Sequence, residues 1–600
     1  MTQSQTTRSR VLRRIGVAVA TTIAISTVAS TGSQAATTPS AATVGGEVKV
    51  AIFDTFPGFC VANNPANSAL MATRTMFEGL VEKTKGGDFV GLLAKSFVPS
   101  QDLKTWTVAL REGITFHDAT PFNADSVVEN TNFGSGRMFA GVFGANFAAG
   151  KGAAASSQAA AAAYGYTLGT SITFQANIKT VSKIDNYTVK FTLDRAQNDF
   201  PGTLYASGRN FQRSSAQLKS STGCANNPVG TGPFKVVSWD TNQLIVAKNT
   251  NYWRTDPANP TAKLPYLDKI TFTNVKEASQ RAAAVRKGTY DAGMFTSGTE
   301  GTFIKDLRQR KSVVTETKSP FEYYPSLWLN QTKAGSPFSS KNARLAVTSC
   351  IDRALFVKVR TRGEGVVATS IVGKSNPMYT TSGFTKFSVA KSKGFVAAWQ
   401  AEAGNAGKTL TFTTPADTSG ASQANMKFLA QQWAKCGITA NIVVEETGPI
   451  IAKAFNSSKA GGEQMGYDAL ILLLFEGSDV TFNMPFIQAN AFTPTSALTS
   501  LFVNSLGTLL NLNHHADPAV DKFFTDGQAA ATKAGAKAQY QAGTAYLQAN
   551  GYMTSIQNIY YSMFTSKKLG GIGKLQLEEG KTQRVMTNWG IDWTGVYKTK

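Results

Sequence analysis

The stretch LREGITFHDATPFNADSV (110–127) sets His117 beside Asp118, with Glu112 and Asp125 close by, in a chain that has only three histidines. A histidine next to a carboxylate is the pairing of a general base with its orienting group. Such a dyad needs a nucleophile, or a water and a metal, and the chain has neither Gly-x-Ser-x-Gly nor His-Glu-x-x-His. The neighbours Gly113, Thr120-Pro121 and Asn123-Ala124-Asp125 carry turn and cap chemistry, with Asn123 placed to cap a short helix through Asp125–Glu129. The stretch is therefore expected to be scaffold. His514-His515 invites a metal reading, but adjacent histidines in a strand face opposite sides, and Asp517-Pro518 reads as a polar loop before a helix at 519–533. Gly230-Thr231-Gly232-Pro233 lacks the Lys-Ser/Thr of a phosphate loop, and Pro233 removes a backbone donor, so a tight turn into the strand Phe234–Trp239 is expected. The chemistry-bearing residues thus predict no catalytic residue, no metal site and no cofactor.

The elements that must position these residues alternate between strand and helix. Val48, Val50 and Ile52 mark a period-two strand over Glu47–Phe53, residues 66–82 read as a helix, and Trp106–Arg111 reads as a strand. Val181–Leu193 reads as a hairpin turning at Asp185-Asn186. Asn342–Val359 carries one apolar helical stripe. Lys408–Thr414, Ser422–Lys435 and Ile438–Glu445 form a βαβ unit, the helix stopped by Gly437. The tract GKGAAASSQAAAAA (150–163) is of low complexity and is expected to be a surface loop or a short helical insertion.

Six hundred residues exceed a single ordinary core. Arg8, Arg10, Arg13 and Arg14 precede the apolar run Ile15–Val28, with Ser33-Gln34-Ala35 offering small residues for cleavage. That run falls short of the ~20 residues a membrane span takes, so residues 1–35 read as a cleaved export signal. Its loss removes four of the positive charges that give the chain a net +22. The remaining basic residues are scattered and accompany no recognition motif, which speaks against nucleic acid and for surface solubility. Cys60, Cys224, Cys350 and Cys436 are an even number in an exported chain, so two disulfides are expected, with three possible pairings. No cysteine stands where a lipid anchor would be attached after cleavage.

In combination these segments resemble the family 5 extracellular solute-binding proteins, the peptide- and nickel-type substrate-binding components of ABC importers. The resemblance rests on MFEGLVE (76–82), LLAKSF (92–97), WTVALREGITFHDATPFNADSVV (106–128), NPVGTGPFKVVSW (227–239) with NYW (251–253), RAAAVRKGTYDAG (281–293), ARLAVTSCIDRALF (343–356) and NWGIDWTGVY (588–597). Ala119 stands where that family usually has glycine. The resemblance implies an α/β fold: a bilobal periplasmic-binding-protein-like clamp of the class II or cluster C type, two lobes joined by a hinge, with an extra subdomain in lobe I. Mapped onto this chain it implies a linker at 36–46, lobe I at 47–319 with an inserted subdomain about 76–205, lobe II at 320–552, and a return to lobe I at 553–600. The hinge crossings would lie near Pro320–Leu329 and Tyr552–Ser562. Disulfides Cys60–Cys224 and Cys350–Cys436 would keep each bond within a lobe and leave the hinge free.

The implied function is capture of a small ligand, an oligopeptide or similar polar solute, for delivery to the permease subunits of an ABC transporter. The implied protein is an extracytoplasmic monomer, peripheral to the membrane or envelope. By position in the fold Phe56, Phe59, Trp328, Asn330, Phe475, Glu476 and Asp479 should line the cleft, with Glu476 or Asp479 meeting a peptide α-amino group. The alternatives are a metal-chelate carrier of nickel type on the same fold, or a secreted envelope-associated protein without a transport role.

Overall fold

The computed structural model describes residues 44–60, 67–134, 175, 177–220, 224–319, 323–455, 466–476, 479–488, 511–577, 580–583, 585–587 and 589–599. The expected export signal, most of the linker and the alanine-rich tract at 150–163 lie outside them.

A seven-stranded mixed sheet forms the first core. Its middle strand, Glu47–Ile52, runs parallel to Lys269–Asn274 on one side and to Ala292–Thr296 on the other. Val48, Val50, Ala51 and Ile52 are fully buried; both faces of this central strand are covered, so sequence alternation becomes nearly continuous burial. Gln243–Lys248 and Phe234–Trp239 extend one edge antiparallel, and Tyr561–Ser566 with Val314–Lys318 extend the other. The C-terminal segment thus completes a sheet begun by the N-terminal half.

A second, four-stranded antiparallel sheet is built from Ala94–Pro99, Thr105–Leu110, Thr188–Leu193 and Ile178–Asp185. The last two form the hairpin expected at Asp185-Asn186. Helix Ala124–Gly134 lies against this sheet, and Asn123 caps it: Asn123 Oδ1 accepts from the Ser126 amide at 3.1 Å.

Between the crossings lies the βαβ unit. Strands Leu410–Asp417 and Ile438–Glu445 pair in parallel over eight residues, and helix Gly420–Ala434 joins them with Met426, Leu429 and Trp433 buried. Beside it Tyr323–Leu329 is flanked antiparallel by Ala469–Glu476 and Met553–Ser555. Core residues follow this division. One apolar cluster draws on 48–294, Tyr323 and 559–596, and two others draw on 324–556. Cys60 is bonded to Cys224 and Cys350 to Cys436. Neither bond joins the first cluster to the other two.

Three expected helices are corrected. The one at 66–82 is only Asn67–Thr73, because the carbonyls of Thr75 and Met76 accept from Phe234 and Gly232 amides instead of continuing the helix; Val81–Lys83 is a strand. The stripe at 342–359 is two helices, Lys341–Ser349 and Arg353–Arg360, broken where Asp352 caps the second by accepting from the Leu355 amide. The helix at 519–533 ends at Ala529, and a new one starts at Lys533 behind the Thr532 cap.

Candidate ligand-binding site

The motifs that stand out in the sequence meet in one buried knot of lobe I. Glu78 of MFEGLVE accepts from Thr231 Oγ1 at 2.9 Å, Tyr252 OH at 2.6 Å and Trp253 Nε1 at 2.9 Å, so the Gly-Thr-Gly-Pro turn and the Asn-Tyr-Trp segment share one carboxylate. Burial raises the Glu78 carboxyl above its usual range despite these donors. Gly230 and Gly232 lie so close to the Met76 carbonyl that an added Cβ would stand 2.2 and 2.7 Å from its oxygen, which explains both glycines. His117 is tied to the same turn: its amide donates to the Gly230 carbonyl at 2.8 Å, and its Nε2 lies 3.0 Å from the Gly232 carbonyl oxygen. Burial lowers the imidazole to about 4, so it is neutral at ordinary pH. Asp118 accepts from the amide and hydroxyl of Thr120 and closes a turn. This arrangement holds backbone; it presents no reactive pair. His515 is likewise structural, stacked on Tyr552 at 5.0 Å with its Nε2 2.6 Å from the Ile487 carbonyl oxygen.

The seven expected lining residues separate into two groups. Phe56 and Phe59 are buried in the lobe I core, where Phe59 meets the Trp239 ring edge-on at 4.8 Å and its carbonyl accepts from Arg213 Nε at 2.8 Å. Trp328 is fully buried in a lobe II core, and Asn330, also buried, accepts from the amides of Thr332 and Lys333 to shape a turn. All four are engaged in packing or turn contacts, and the strand that carries Trp328 and leads to Asn330 runs away from the crossing. Phe475 and Glu476 stand at the other end of the neighbouring strand, in register with Tyr324 and Tyr323 at the crossing itself. Asp479 follows at once and caps the short helix Val480–Asn483 through the Phe482 amide.

Among the described residues, contacts between the lobes gather on a hinge side and at a far seam. On the hinge side Arg308 makes paired hydrogen bonds to Glu316 of lobe I, at 2.6 and 2.9 Å, and to Glu364 between the crossings, at 2.9 and 3.0 Å. These bidentate contacts raise the guanidinium far above its usual range. At the far seam Asn198 of lobe I binds the end of helix Pro518–Ala529. Its amide donates to the Gln528 carbonyl at 2.8 Å, and its Nδ2 donates to the carbonyls of Gly527 and Ala530 at 3.0 and 2.8 Å. Asn198 thereby satisfies carbonyls that the helix end leaves open. Thr481 Oγ1 donates to Asp199 Oδ2 at 2.5 Å. Gly202 permits this approach: a Cβ there would stand 2.8 Å from Thr481 Oγ1 and 3.2 Å from Asp479 Oδ1. Arg209 lies over the Phe482 ring at 5.4 Å.

None of Asn198, Asp199, Gly202 or Thr481 was expected from sequence. The available signal, Asn198-Asp199-Phe200-Pro201-Gly202, reads as an ordinary helix start, and nothing in it points to a partner some 280 residues away.

The family model for bacterial extracellular solute-binding proteins, family 5 Middle, matches residues 88–472. The glutathione-binding protein GsiB of Escherichia coli O1:K1 / APEC is 25% identical over 413 residues, covering 68% of this chain and 70% of that protein. Among solved structures, the periplasmic binding protein DppA of Helicobacter pylori in complex with the peptide STSA superposes with a TM-score of 0.70 at 18% identity, over 93% of this chain and 99% of that one. AgaA of A. tumefacien R10 in complex with agropinic acid gives 0.71 at 17% identity, over 92% and 99%. Two lobes joined at paired crossings, the buried motif knot and the match over most of the folded chain agree, and the chain belongs to the family 5 bacterial extracellular solute-binding proteins.

Proposed function

We propose that the chain captures a short peptide or peptide-like polar solute between its lobes and hands it to an ABC permease. The observation that carries this reading is the pair of acidic residues beside the crossing: Glu476 in register with Tyr323, and Asp479 three residues on. Asp479 has a cap to maintain, so Glu476 is the better partner for a ligand ammonium group. The glutathione-binding relatives support a ligand of peptide size. The division of lobes is read at the two crossings, between Tyr323 and Tyr324 and between Ile556 and Ile559. We further read the protein as an exported monomer freed from its signal and held at the envelope without a lipid anchor.

Thermal-shift titration with di- to pentapeptides, sugars and nickel chelates tests the reading. A rise in melting temperature with peptides, lost in Glu476→Gln and lost when the peptide amine is acetylated, is expected. A rise with nickel chelates alone would overturn it in favour of the metal-chelate carrier.

A further inference from the structure

Asp199 opens the helix Phe200–Tyr205 with Pro201 in its first turn, and its side chain does not cap that helix. An aspartate in this position ordinarily accepts from its own helix amides. Here the carboxylate turns across the seam, with Oδ2 accepting from Thr481 of lobe II and Oδ1 closed off from solvent without a hydrogen-bond partner of normal geometry. Asp479 brings a second carboxylate to the same place, its Oδ1 lying 3.2 Å from where a Gly202 Cβ would be.

We propose that Asp199 is a proton-operated latch on closure: held between the lobes beside Asp479, its carboxyl favours the closed clamp when it carries a proton and opposes closure when ionised. The proposal deepens the capture reading and rests on it. The charged and titratable groups around Asp199 agree with it. Asp479 faces it from the start of helix Val480–Asn483. The buried Tyr540 hydroxyl on helix Lys533–Ala549 has no hydrogen-bond partner, and burial with the nearby Asp199 charge keeps this phenol neutral. Arg209 is placed over Phe482, and Arg195 faces Asp521 and Asp194. Burial, with Asp479 adding to it, outweighs the hydrogen bonds from Thr481 and Gln197 and pushes the Asp199 carboxyl up to about 6. Opening the seam returns it to water and to its ordinary value of about 3.9. A group whose closed-state value is raised takes up a proton on closing, so closure strengthens as pH falls through 6 and weakens above it.

The test needs no ligand. Spin labels at Lys190→Cys and Lys537→Cys, both exposed and on opposite sides of the seam, report the closed-to-open ratio in the mature chain. Between pH 7.5 and 5.0 that ratio should rise about tenfold. Asp199→Asn, which mimics the fully protonated carboxyl, should abolish the pH dependence and hold the ratio at or above the pH 5.0 value at both pH values. Thr481→Val, which removes a donor that favours the ionised form, should move the midpoint to higher pH. A pH-independent ratio in the unmodified chain overturns the latch, as does a pH dependence that survives in Asp199→Asn. If Asp199→Asn fails to fold by circular dichroism, Thr481→Val decides, and a midpoint that does not rise overturns the proposal. Adding mixed di- to pentapeptides separates the two readings. Peptides that close the clamp equally at both pH values leave capture standing and sink the latch. A pH-driven ratio that no peptide moves leaves the latch standing and sinks the peptide reading.

Discussion

Tyr323 and Tyr324 are consecutive residues of one strand, and their rings are buried in different lobes: Tyr323 packs in the first core, edge-on to Tyr561 at 5.6 Å, and Tyr324 packs in the second. Strand alternation does this directly, because neighbouring side chains leave the backbone on opposite faces. Tyr323 also exchanges both backbone hydrogen bonds with Ile559 of the second crossing, at 2.6 and 2.8 Å. The two crossings are therefore paired to each other as a narrow two-stranded ribbon.

Replacing either ring by alanine should cost about 3–5 kcal/mol, the range for emptying a large aromatic site. The losses should be separable by amide exchange: Tyr323→Ala speeds exchange in the sheet around Glu47–Ile52, and Tyr324→Ala speeds it in Ala469–Glu476. Equal acceleration in both sheets from either variant would contradict the division.

Gly202→Ala sets two effects against each other. Alanine favours the helix by roughly 0.5–1 kcal/mol, yet its Cβ would meet Thr481 Oγ1 at 2.8 Å. The melting temperature of the free protein should hold or rise, while ligand affinity falls. Loss of both together would mean that the glycine serves lobe I alone.

His117→Ala removes one of two side-chain partners of the Gly232 carbonyl, which Asn249 Nδ2 still reaches at 3.1 Å, and should lower stability by about 0.5–1.5 kcal/mol, the net worth of one hydrogen bond. Ligand preference should stay unchanged, and a selective loss of binding at unaltered melting temperature would reopen the question of a functional histidine.

Acid should weaken the fold through the same residue. Burial holds the folded imidazole at about 4 against 6.5 when unfolded, so its contribution is complete above pH 6.5 and is lost progressively as pH falls toward 4. At pH 5 the loss through His117 is roughly 2 kcal/mol, measurable as a lower urea midpoint that His117→Gln should reduce in part, because burial also lowers His514, to about 4, and His515. This effect on unfolding runs opposite to the acid-favoured closing of the seam, so the two report on different equilibria.

Much of the fold was legible because its signals are local. The βαβ unit announced itself through the stripe Met426, Leu429 and Trp433 and the stop at Gly437; the hairpin did so through Asp185-Asn186. The errors share a cause as well. The helix expected over 66–82 ends early because its carbonyls are taken by Phe234 and Gly232, partners more than 150 residues away that no periodicity reveals. The seam was invisible for the same reason. A helix-start aspartate looks alike in sequence whether it caps its own helix, as Asp479 does, or reaches into another lobe, as Asp199 does. Aromatic residues carry a weaker signal: Phe56, Phe59 and Trp328 were placed near a cleft by their order along the chain, and all three are buried in this structure.

The Cys60–Cys224 bond closes a ring of chain 164 residues around. The chain can be cut once anywhere inside that ring and still be a single covalent molecule. Such a nicked chain would run as one band on a non-reducing gel and as two after reduction. The bond thus keeps a nicked chain in one piece, besides a chain-entropy contribution of about 5 kcal/mol to folding.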